Sequence, residues 1–241
     1  MAAWRARRGS RGFTLVELMV ALFVMALLAV MSWRGLDAMT RAQARTEAHA
    51  NEVLSVQVGL AQWAADLDAV VELPRVPALD WNGRVLRITR RSSASVVDGV
   101  LVVAWTRRAV AGSGTWLRWQ SPPVTTRGDL ETARQQADLW SQNPGDEQRK
   151  REVAVTPLED WQLFYYRADA WTNPLSSDAT TATPASTATA AAAGAVVTST
   201  AAAGTLPDGV RLVLSLPPGG AVGGKLVRDW VRPTVGGGKS L

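Results

Sequence analysis

The sequence has no cysteine among its 241 residues and one histidine, His49. The first absence removes any disulfide framework, thiolate metal site or thiol nucleophile. The second leaves no imidazole set for a transition metal, so His49, beside Glu47 and Asn51, reads as a solvent-facing helix residue. No Gly-x-Ser-x-Gly elbow, phosphate loop or dinucleotide fingerprint occurs either. The Gly-rich run 219–224 has no helix after it to hold an anion, and reads as a hairpin loop. The acids Asp66, Asp68, Glu72 and Asp80 invite calcium, but their spacing is not that of a calcium loop. They read as solvated surface groups. With no catalytic constellation left, the chain is expected to be non-enzymatic, without metal, cofactor or small-molecule substrate.

Excess charge is also missing once its position is considered. The formal charge is +5, from 26 basic and 21 acidic residues. Four of the basic residues, Arg5, Arg7, Arg8 and Arg11, crowd into the first twelve positions, where there is no acid. The remainder is near neutrality, which argues against a nucleic-acid partner.

What the sequence does have is a long apolar run. From Phe13 to Trp33 the only charged side chain is Glu17, and a run of about 20 residues is enough to cross a bilayer core of about 30 Å as a helix. A carboxylate in such a run costs roughly 2.5–3.5 kcal/mol near the bilayer centre, and less near the interface. The flanking arginines hold the N-terminus in the cytoplasm, so the rest faces the periplasm. A secretory signal has a shorter apolar region with a small-residue cleavage site after it. Here the apolar run is longer and reads as an anchor that is kept.

The helix does not stop with the apolar run. Residues 34–71 turn amphipathic, and Val53, Val56, Leu60, Trp63, Leu67 and Val70 form one apolar stripe at three-four spacing. Pro74 and Pro77 end the pattern. A single helix from Phe13 to about Val71 would be about 88 Å long at 1.5 Å per residue.

The remainder, 72–232, reads as a β-rich head. Strands are expected at Arg84–Arg90, half-exposed, at Gly99–Thr106, central, and at Trp116–Gln120. Others are expected at Glu159–Arg167, Gly209–Leu216 and Lys225–Val231, with a helix at Asp129–Trp140. Residues 176–204 are Ala, Thr and Ser with almost no large apolar side chain, and read as a disordered insert, the alternative being a short helix through Ala190–Ala193. Residues 233–241 form a Gly-rich tail. Of the eleven tryptophans, Trp63, Trp105 and Trp161 fit apolar patterns and the core. Trp33 fits the membrane–water boundary. Trp116, Trp119, Trp140 and Trp171 are candidates for a protein-binding surface.

The basic leader, Gly12, Phe13, Thr14, Leu15, Val16 and Glu17 together resemble the processing site of type IV prepilins and type II secretion pseudopilins. Trp33-Arg34-Gly35-Leu36-Asp37-Ala38, Ala64-Ala65-Asp66-Leu67, Trp161–Tyr166 and Leu206–Leu212 resemble segments of the minor pseudopilin J family of type II secretion. The resemblance implies a pilin-like α+β fold, a long N-terminal helix packed on a head of two antiparallel sheets. It also implies a leader, 1–12, removed by the prepilin peptidase, and methylation of the Phe13 amine. Glu17 is then expected to pair with a neighbouring subunit's N-terminal amine. The implied partners are the I- and K-type minor pseudopilins, the major pseudopilin and the inner membrane, at the tip of a periplasmic pseudopilus. Two other readings stay open: a type IV pilus minor pilin, for adhesion, motility or DNA uptake, and a membrane enzyme with an uncleaved anchor. The Ala/Thr insert and the helical stretch at Asp129–Trp140 depart from the family pattern.

Overall fold

The computed structural model describes residues 12–92, 99–167, 169–175 and 206–233. The leader before Gly12, the expected insert and nearly all of the Gly-rich tail lie outside the described residues. The chain divides into two compact units, Met1–Ala50 and Asn51–Leu241.

One helix, α1 (Leu15–Asp68), runs through the boundary between the units. Its apolar first part is long enough to cross a membrane and none of it is buried within the protein. Trp33 is likewise exposed. From 34 onward charged and polar residues join exposed apolar ones on the helix surface, with an Asp37–Arg41 ion pair one turn apart. The helix ends at Asp68 rather than near Val71, because the next residues are drawn into a sheet. The Arg91 amide donates to the Ala69 carbonyl and the Val71 amide to the Thr89 carbonyl, both at 2.9 Å. Those backbone groups cannot also continue the helix.

The second unit holds two antiparallel sheets. The first has the order β1-β2-β3-β4-β5, from β1 (Leu79–Trp81), β2 (Val85–Arg91), β3 (Val100–Val110), β4 (Ser113–Gln120) and β5 (Glu152–Pro157). Helices α2 (Arg127–Gln142) and α3 (Asp146–Arg149) connect β4 to β5. The second sheet has the order β7-β6-β8-β9, from β6 (Asp160–Arg167), β7 (Ala170–Thr172), β8 (Gly209–Leu216) and β9 (Gly224–Val231). The long helix followed by two antiparallel sheets is the α+β pilin-like arrangement expected.

Period-two alternation explains the second sheet. Val210, Leu212, Leu214 and Leu216 point into the core while the residues between them are partly exposed. They meet Trp161, Leu163 and Tyr165 of β6, Ile88 of β2 and Trp63 and Leu67 of α1 in one cluster. The first sheet is covered on both faces. Its other side packs Val102, Ala104, Leu117 and Trp119 against Leu130, Ala133, Ala137 and Trp140 of α2. Helix α2 starts where the Thr126 side chain accepts from the Asp129 amide, a threonine cap of the usual kind.

Two expectations are corrected here. Trp116, Trp119 and Trp140 are core residues, each at most 1% exposed, and only Trp171 of the four candidates keeps a partly exposed ring. Strand β2 is buried on both faces, not half-exposed. Two of its three arginines are held in because each meets an acid: Arg87 meets Asp80 at 2.5 Å, and Arg90 meets Asp66, while Arg91 is exposed at the strand end.

Candidate processing and assembly site

The N-terminal site is built from six consecutive residues. Gly12, Phe13 and Thr14 are exposed and outside the helix, which begins at Leu15. Thr14 is its cap. Its Oγ1 accepts from the Glu17 amide at 3.3 Å and its carbonyl from the Leu18 amide at 3.3 Å, while its hydroxyl faces Glu17 Oε2 at 3.5 Å. Threonine followed three residues later by glutamate, ahead of an apolar run, is the sequence signature of a capping box. That signal was available from Thr14 and Glu17 alone, beside the reading of Glu17 as an assembly group.

The consequence is local. The Gly12–Phe13 peptide bond lies in exposed, non-helical chain two residues ahead of a capped helix. Among the described residues, a Cβ on Gly12 would meet nothing within 4 Å. Phe13 is 84% exposed, and Leu15 and Val16 are exposed on the first turn.

Elsewhere the acids Asp66, Asp68, Glu72 and Asp80 are engaged by donors of the head. Asp66 is wholly buried, not solvated. It accepts from Arg90 Nη1, Arg118 Nε and Nη2, Trp105 Nε1 and Gln62 Nε2. Asp68 accepts from the Trp230 indole at 2.7 Å, and Glu72 from Arg232 at 2.6 Å. Asp80 accepts from Arg134, whose guanidinium burial pushes below its ordinary pKa. These contacts tie α1 and the following segment to both sheets. His49 is exposed on α1.

Residues 7–33 match the model of the prokaryotic N-terminal methylation motif, a stretch that contains Gly12 through Glu17 and the whole apolar run. No curated protein matches the chain.

Proposed function

We propose, from a chain whose N-terminal segment is that of a type IV pilin-like or pseudopilin protein, that it serves as a J-type minor pseudopilin of type II secretion. In this role it joins the I- and K-type minor pseudopilins in the complex that initiates and caps the periplasmic pseudopilus, which helps drive folded proteins across the outer membrane. A pilin-like protein of this kind is typically structural, not enzymatic. The observation that carries the reading is the methylation motif at residues 7–33, on a capped, wholly exposed apolar helix that leads into an antiparallel head.

The residues take these roles. The prepilin peptidase cleaves between Gly12 and Phe13, and the new Phe13 amine is methylated. Thr14, Leu15 and Val16 present that bond at the helix start. The arginines of the leader keep the N-terminus in the cytoplasm, and the apolar run holds the protein in the inner membrane with the head in the periplasm. Glu17, a carboxylate in a lipid-facing segment, needs a counter-charge, and the N-terminal amine of a neighbouring subunit supplies one.

Glu17→Gln tests the assembly role. The variant should insert and lose its leader as the parent does, because the neutral amide is easier to bury than a charge. Capture of full-length I- and K-type pseudopilins should fall, by an effect equivalent to about 2–5 kcal/mol for a broken buried pair. Undiminished capture with unchanged secretion contradicts that role. Capture of pilus subunits in place of pseudopilins assigns the chain to a type IV pilus.

A further inference from the structure

A groove of about 510 Å³ runs along the second unit between the exposed flank of α1 and the edge strand β5. Leu54 and Val58, one turn apart on α1, form one wall, and Val153 and Val155 of β5 the other, with Trp105 and Arg118 also lining it. Leu54, Val58 and Val153 are all more than half exposed. Among the described residues, Arg118 is the only charged side chain that lines it.

Among the described residues that charge is only partly balanced. Asp66 brings one negative charge to a cluster in which Arg90 and Arg118 bring two positive ones. Among the described residues no second carboxylate lies within ion-pair distance of either guanidinium. Arg118 uses Nε and Nη2 on Asp66 and Gln120, and its Nη1 makes no hydrogen bond among the described residues. Its side chain is only 13% exposed, so water hydrates it incompletely. An excess cation in a partly dry apolar groove attracts an anion more strongly than the same cation in water.

We infer that this groove docks an α-helical segment of another protein, apolar at three-four spacing and carrying one Asp or Glu that pairs with Arg118. The inference rests on the assembly role proposed above. A helix fits better than an added strand, since the exposed edge of β5 is six residues long and ends at Pro157, which cannot donate to a ladder. Leu54 and Val58 form the kind of i, i+4 ridge that packs against a second helix.

The test places a photoreactive phenylalanine analogue at Val58 in the full-length protein, in cells that make it with its assembly partners. The cross-linked peptide should be apolar at three-four spacing and hold Asp or Glu within one turn of the attachment point. Val153→Glu sets a carboxylate beside Arg118, directly across the β4–β5 pairing. It should cut the adduct at least about fivefold, while Val153→Gln keeps it within about twofold. Both substitutions lie at an exposed edge position, and a melting curve of each purified variant checks that the head is intact.

The inference is overturned by no adduct at Val58, by an adduct peptide without an acid, by equal loss in the two Val153 variants, or by equal labelling from Leu139, exposed on α2. The mature N-terminus is measured in the same sample. Phe13-processed protein without an adduct counts against the groove alone. An adduct on protein that keeps its leader supports the groove and counts against the proposed function.

Discussion

Asp66 and Trp105 are joined by a 2.9 Å hydrogen bond from the indole Nε1 to carboxylate Oδ2, although 39 positions separate them in the chain. The same carboxylate holds Arg90 of β2 and Arg118 of β4, so one side chain on the last turns of α1 ties the helix to three strands. Asp66→Ala leaves two poorly hydrated guanidinium groups without a counter-charge, and removing one partner of a buried pair costs about 3–5 kcal/mol. For a head of this size that lowers the melting temperature by roughly 6–20 °C. Differential scanning calorimetry of the purified variant checks it, and a loss under about 3 °C shows that the cluster contributes little.

Gly59 sets how closely α1 approaches β5. A Cβ there would lie 2.2 Å from Cγ1 of Val155 and 3.3 Å from the Trp116 ring. In an open helix, Gly→Ala gains about 1 kcal/mol; here overpacking reverses the sign, for a net loss of about 1–3 kcal/mol. Val155→Ala made together with Gly59→Ala should recover part of that loss, a coupling that a double-mutant cycle measures. A stabilising Gly59→Ala contradicts the close approach.

Tyr165 predicts a pH dependence. Its ring lies in the core, its hydroxyl has no hydrogen-bond partner among the described residues, and burial pushes its pKa above the ordinary tyrosine value despite nearby Arg167. A group whose pKa is raised by folding leaves stability intact below its unfolded value, about 10. As pH rises above 10, the unfolded chain ionises this tyrosine while the folded chain resists, so stability falls by up to about 1.4 kcal/mol per pH unit. Tyr165→Phe should remove this component and be neutral or slightly stabilising at pH 7, since an unpaired buried hydroxyl is unfavourable. Urea unfolding of both proteins between pH 8 and 11 tests the difference; parallel curves contradict it.

The apolar alternation of β8 and the long run of α1 were legible in the sequence because each shows its own period over many residues. Strands β1 and β7 were not, being three residues each. Strand β5 was hidden by its mostly exposed pattern, as an edge strand after a charged stretch. The buried stripe of α1 includes Gly59 and Asp66, which a search for apolar spacing passes over. One is buried because the helix comes so close, the other because strands distant in sequence supply its donors. Trp116 went to the core on the face toward Gly59 of α1, and Trp119 and Trp140 did so on the opposite face for a related reason. Helix α2 covers the face of the first sheet that would otherwise have been open. At the N-terminal site, the methylation motif at residues 7–33 was legible, and the cap formed by Thr14 is carried by the Thr14–Glu17 spacing alone.

The role proposed for this chain is entry into a pilin-like assembly through its N-terminus. The most direct measurement is the mass of the N-terminal peptide of the protein, isolated from cells with a prepilin peptidase. The expected peptide begins at Phe13 with a single methyl group on its amine, and is absent when the peptidase is deleted. Assembled protein that still carries its leader through Gly12 would contradict it.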